Sequence, residues 1–211
     1  VLRAHGQVFY SPVVEAVARI PTQDLRMSAE AAKVRLSALG FHDEDAGLRH
    51  IEALTSGTSR AVRIQTALMP AMLAWLADGP SPDHGLLAFR QVSEALGESP
   101  WYLRALRDEG AMAQRLAVVL STSRYAVDVL TRAPETVQVL VDDDLTPLSR
   151  EDLARQMNAV ARRHHDVEEA VGAIRAVRRR ELFRILVADI LNVTGIRRIG
   201  QALTDLTGAT I

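Results

Sequence analysis

Apolar residues recur along this chain every three to four positions, the spacing that lines one face of an α-helix. No run sustains the period-two alternation of a half-buried strand, and strand-length runs of β-branched or aromatic residues are scarce. The pattern predicts roughly ten helices joined by short loops. Ser11-Pro12 places a cap and a first-turn proline before Val13, Val14, Val17 and Ile20, and Pro21 stops that helix. Ser28 opens a second helix through Val34, Leu36 and Leu39 that ends at Gly40. Asp43 caps a third, with Leu48, Ile51 and Leu54 before Gly57. Ser59 starts a longer one through Val62, Ile64, Leu68, Met72, Leu73, Trp75 and Leu76. Pro70 lies inside it and predicts a kink, because an interior proline costs about 3 kcal/mol or more.

Gly79-Pro80-Ser81-Pro82 is a break, and Asp83 begins a helix through Leu86, Leu87, Phe89, Val92 and Leu96. Ser99-Pro100 repeats the cap-and-proline signal ahead of Trp101, Tyr102, Leu103 and Leu106, and Gly110 ends that helix. Further helices run through Met112 to Leu120, after Ser123, and from Pro134 through Val137, Leu140 and Val141. Asp142-Asp143-Asp144-Leu145-Thr146-Pro147 reads as a polar loop. Ser149 with Asp152 three residues on is a capping-box-like start for a helix to about Arg163. A long helix follows from about Asp166 to Leu191, then a loop at Asn192–Gly195 and a last helix. Spacing between caps is too uneven for a repeat array. The expected fold is all-α: an irregular multi-helix bundle with a long C-terminal helix.

Bulk composition narrows the function classes. The 211 residues are 48% hydrophobic and 24% charged, with a net charge of -1. That gives no excess of base for a nucleic-acid footprint. There are no cysteines, which removes disulfides and thiolate zinc sites. No window reaches the roughly 18 apolar residues of a membrane span. The first residue is Val, which suggests a piece cut from a longer chain.

Four clusters carry candidate chemistry. His164-His165-Asp166 with Glu168 and Glu169 has metal-ligand residue types, but neighbouring histidines on a helix point about 100° apart. Capping and first-turn acids account for Asp166, Glu168 and Glu169. Asp142-Asp143-Asp144 could hold magnesium, yet no strand or Gly-Ser turn precedes it, and a solvated turn or cap explains it. Gly57-Thr58-Ser59-Arg60 could cradle a phosphate but lacks P-loop spacing and its lysine, since Lys33 is the chain's one lysine. Arg178-Arg179-Arg180 could bind an anion or act in a helical nucleic-acid module. As a solvated stretch, it would have Glu181, Arg184 and Asp189 available for surface ion pairs at helical spacing. Trp75, Trp101 and Tyr102 read as packing residues. No catalytic, cofactor-binding or metal-ligating residue is assigned.

Blocks spread along the chain carry a family resemblance: His5-Gly6-Gln7-Val8-Phe9-Tyr10-Ser11-Pro12, Leu48-Arg49-His50-Ile51-Glu52-Ala53-Leu54, Leu68-Met69-Pro70-Ala71-Met72, Gly97-Glu98-Ser99-Pro100-Trp101-Tyr102, Ser123-Arg124-Tyr125 and Arg132-Ala133-Pro134-Glu135. In these, and in the stretch from Arg178 to Ile211, the chain resembles the middle of bifunctional glutamine synthetase adenylyltransferase/adenylyl-removing enzymes, in style nearest the actinobacterial members. The resemblance implies a parent nucleotidyltransferase with two heads. One would transfer AMP from ATP to a tyrosine of glutamine synthetase, and the other would remove it by phosphorolysis. It implies magnesium and ATP as cofactors of the parent, and glutamine synthetase and a PII-type signalling protein as partners, with a cytoplasmic location. The family's Gly-Ser and spaced Asp-x-Asp signature has no match here, so the fragment itself is expected to be a non-catalytic connector without a cofactor. The implied domains are 1–40, ending the helical part of the removing half; 41–165, a central helical linker or regulatory domain; and 166–211, the helical start of the transferring half. The long helix would be a relay or a rigid strut. A stand-alone helical interaction module is the alternative reading.

Overall fold

A computed structural model describes residues 29–210, and every regular element among them is helical. The elements are α1 (Ala29–Ala38), α2 (Glu44–Thr55), α3 (Arg60–Ala77), α4 (Pro82–Leu96), α5 (Pro100–Asp108), α6 (Gly110–Thr122), α7 (Arg124–Arg132), a 3-10 helix (Pro134–Val141), α8 (Arg150–Ala161), α9 (Val167–Ile190) and α10 (Ile196–Thr210). The all-α expectation therefore holds. The helix expected after Ser11-Pro12 lies outside the described residues. No described helix is long and apolar enough to cross a membrane.

Most starts follow from side-chain caps. Asp43, Ser59, Ser123, Ser149 and Asp166 each accept a hydrogen bond from the backbone N–H three residues on, satisfying one of the donors that a helix start leaves unpaired. Ser81 and Ser99 make no such bond; there Pro82 and Pro100 open the helices instead. Asp83 is used elsewhere: its carboxylate accepts from the backbone N–H groups of His42 and Asp43, tying the start of α4 to the turn before α2. Two local expectations change. Gly110 opens α6 rather than closing α5. The segment after Pro134 is a 3-10 helix, with the Thr136 hydroxyl donating to the Ala133 carbonyl at 2.7 Å. Pro70 lies inside α3, as the pattern places it.

The described residues fall into two compact units, divided between Thr122 and Ser123. In the first, α4 packs on α6, α2 and α3, and α3 also meets α5 and α6. Met69, Met72, Leu76, Leu86, Phe89, Met112, Leu116 and Leu120 are fully buried between them. The Tyr102 hydroxyl shares a buried 3.0 Å hydrogen bond with Ser93, and burial pushes its pKa well up. Close approach of α3, α4 and α6 depends on Gly85. A Cβ there would stand 2.7 Å from Leu76 Cδ2 and 3.1 Å from the Ser121 Cα. In the second unit, α8, α9 and α10 pack mutually around Leu153, Met157, Ile185, Ala188, Ile199, Ala202 and Leu206, while α7 and the 3-10 helix lean on α9.

Two glycine-to-alanine substitutions should differ in sign. Gly85→Ala is expected to destabilise by about 1–3 kcal/mol, since backbone must move to admit the methyl. Gly172→Ala in α9, where an added Cβ meets nothing within 4 Å, should stabilise by about 0.5–1 kcal/mol. Urea denaturation of the two variants against the parent chain reads both.

Candidate functional site

The acidic stretch Asp142–Asp144 is the strongest sequence candidate for a metal–nucleotide site, and its surroundings decide what it can do. It begins the 142–148 segment that joins the 3-10 helix to α8. Two charged residues on α9, one turn apart, reach this segment from below. Arg184 donates from Nη2 to Asp142 Oδ2 at 2.6 Å and from Nη1 to the Asp144 carbonyl at 3.0 Å. Glu181 accepts from the Leu148 backbone N–H at 2.8 Å. Arg198 of α10 adds a 3.3 Å bond to the Pro147 carbonyl. Three backbone groups of this loop, the Asp144 and Pro147 carbonyls and the Leu148 N–H, are thus satisfied by charged side chains.

Burial makes these contacts unusual. The Glu181 side chain is 3% exposed and that of Arg184 9%, the first just before and the second inside the otherwise apolar run Leu182 to Ala188. Arg184 Nε lies 3.4 Å from Glu181 Oε2 without hydrogen-bond geometry. Burial raises the Glu181 pKa above the ordinary carboxylate value, against the pull of the Leu148 N–H and the Arg184 charge. Sequence reasoning placed Glu181 and Arg184 in a solvated face; the structure corrects this. The available signal was a charged i, i+3 pair set within a run of leucine, phenylalanine, isoleucine and valine.

This arrangement suits a structural clamp better than a cation site. Asp142 faces two guanidiniums, Arg184 at 2.6 Å and Arg180 at 3.9 Å, whose charge repels a metal ion. Asp144 accepts from Thr146 N at 2.8 Å, and Thr146 holds its carboxyl below the usual range. Among the described residues, no three His, Asp or Glu side chains are placed to hold a metal ion together.

The other candidates fall to local roles. Asp166 caps α9, and His164 Nδ1 sits 3.2 Å from Glu169 Oε2, so the cluster is a helix start. Gly57 has φ +113, a conformation that favours glycine, and Ser59 caps α3 behind it. Arg178, Arg179 and Arg180 are all exposed, as expected. Trp101 and Tyr102 meet edge to face at 5.9 Å, with Tyr102 in the core.

Removing the Arg184 charge should expose the clamp. Arg184→Met leaves Glu181 buried without its cation and should cost about 3 kcal/mol or more at pH 7. A carboxyl whose folded pKa is raised loses stabilisation as pH rises through that value. The variant raises the Glu181 value further, so its deficit should shrink as pH falls from 7 towards 5. Chemical denaturation at several pH values measures this; a deficit constant with pH would contradict the clamp.

Residues 113–211 match the family model described as glutamate-ammonia ligase adenylyltransferase. A "bifunctional glutamine synthetase adenylyltransferase/adenylyl-removing enzyme" of Streptomyces coelicolor is 48% identical across the whole of this chain, which corresponds to 23% of that relative. Proteins of the same description from Nocardia farcinica and Leifsonia xyli are 44% and 43% identical, over 100% and 96% of this chain and 21% of each relative. The chain thus spans between a fifth and a quarter of the length of these curated relatives, and it belongs to the glutamate-ammonia ligase adenylyltransferase family.

Proposed function

We propose that this chain is the central helical part of a bifunctional nucleotidyltransferase that attaches AMP from ATP to glutamine synthetase and removes it again, and that this segment is a connector without chemistry of its own. The observation that carries the reading is end-to-end identity of 48% with an enzyme so described in Streptomyces coelicolor, combined with coverage of 23% of its length. In the full-length protein, the two catalytic heads would flank this segment and supply the ATP and magnesium sites. The division at residues 40 and 165 belongs to this proposal, as do a PII-type regulatory partner and a cytoplasmic location.

The connector role is supported by the chemistry of the acidic loop. The Asp142 carboxylate is committed to Arg184 of α9, and the Asp144 carboxylate to the Thr146 N–H within the loop. A transferase site would instead need acids open to a shared magnesium ion and to nucleotide phosphates.

The test compares labelled AMP transfer from ATP to glutamine synthetase by the 211-residue chain and by a full-length protein containing it. Transfer by the full-length protein alone is expected. Transfer by the 211-residue chain would overturn the connector reading. Inactivity of both, against an active relative as control, would overturn the assignment of the parent activity.

A further inference from the structure

The first unit carries an open surface groove of about 450 Å³ where the first turns of α3 meet α5. Ile64, Ala67, Leu68 and Leu106 form an apolar floor, and Arg60, Arg63 and Arg107 stand on its rim. The three arginines differ in how far they are engaged. Arg107 donates from Nε and Nη2 to Asp108, at 2.6 and 2.7 Å. Arg63 uses Nη1 for the Thr58 carbonyl at 3.0 Å. Arg60 has no hydrogen bond or ion pair within the described residues beyond a longer-range attraction to Asp108. Arg107 above all, with Arg60 and Arg104 at longer range, holds the Asp108 carboxyl below its usual range. Asp108 thus pairs directly with Arg107 alone, and the rim carries three guanidiniums, Arg60, Arg63 and Arg107.

A purely apolar ligand would leave this charge unused, and a small inorganic anion would leave the floor wet. The groove is open to solvent rather than enclosed, which suits a segment that continues beyond it. Its volume falls in the lower part of the about 300–1,000 Å³ range of ligand sites. We propose that this groove docks an acidic peptide segment of a partner protein, with one apolar side chain on Ile64, Ala67, Leu68 and Leu106 and flanking carboxylates on Arg60 and Arg63. Guanidinium forks match carboxylates bidentately, and the apolar contact selects among acidic sequences. The proposal stands on the groove alone and does not depend on the reading of the parent enzyme.

Fluorescence polarisation of a labelled Ser-Glu-Asp-Leu-Asp-Glu-Ser peptide with the 211-residue chain tests it. Saturable binding is expected, weakening with added salt. The double variant Arg60→Glu, Arg63→Glu should weaken it by about tenfold or more. Both positions are exposed, and acids are favourable in the first turn of a helix, so α3 should persist by circular dichroism. Arg60→Gln alone should move affinity a smaller step in the same direction. Replacing the peptide leucine with serine should weaken binding by about fivefold or more, through loss of the buried methyls. Absence of saturable binding, or indifference to the arginine variants, would overturn the proposal. Equal binding of the serine peptide would reduce the groove to unselective polyanion attraction, and displacement by equimolar inorganic phosphate would make it a small-anion site; either result overturns peptide docking.

Discussion

A guanidinium cannot lie in an apolar core without partners, and Arg184 is the residue around which the second unit is arranged. Burying it and Glu181 carries a desolvation penalty of several kcal/mol per ion, which only close and multiple contacts offset. Those contacts are supplied by one loop: Asp142 and the Asp144 carbonyl for Arg184, and the Leu148 N–H for Glu181. α9 therefore holds the 142–148 segment near both ends, and the second hold leads directly into the Ser149 cap of α8. The packing of α8, α9 and α10 around Leu153, Ile185 and Ile199 presupposes that α8 starts where this clamp puts it. Replacing a whole buried ion pair by apolar residues often leaves a fold as stable, whereas removing one partner strands a buried charge.

In the first unit the equivalent constraint is room rather than charge. α4 lies close to α3 and α6 because Gly85 presents no side chain to Leu76 and Ser121. Close packing of helices then makes the methionines and leucines of three helices one core. The same packing leaves the beginning of α3 and the end of α5 as neighbours at the surface, which brings Arg60 and Arg63 to Arg107.

Much of this was legible from the chain. Cap residues marked α2, α3, α7, α8 and α9 within a residue or two, because a short polar side chain before an apolar run has few other uses. Periodicity was less reliable about sides. Val34 and Val167 carry the right residue type, yet are 69% and 75% exposed, whereas Leu36 is buried. Glu181 and Arg184 were read as outward-facing because pattern rules assign charge to solvent; only the tertiary partners on the 142–148 loop reverse that. The arginine groove was invisible for a related reason, since its rim joins residues from two helices far apart in sequence. The family came from the order of sequence blocks along the chain and not from any periodicity.

The central claim is that Asp142–Asp144 is a clamp fixed by buried charges on α9, and not a nucleotide site. Amide NMR spectra of the 211-residue chain, titrated with magnesium and ATP, test it most directly. The account predicts no saturable shift at residues 142–148. Saturable shifts confined to Asp142, Asp143 and Asp144 would contradict it and would make the loop a metal–nucleotide site.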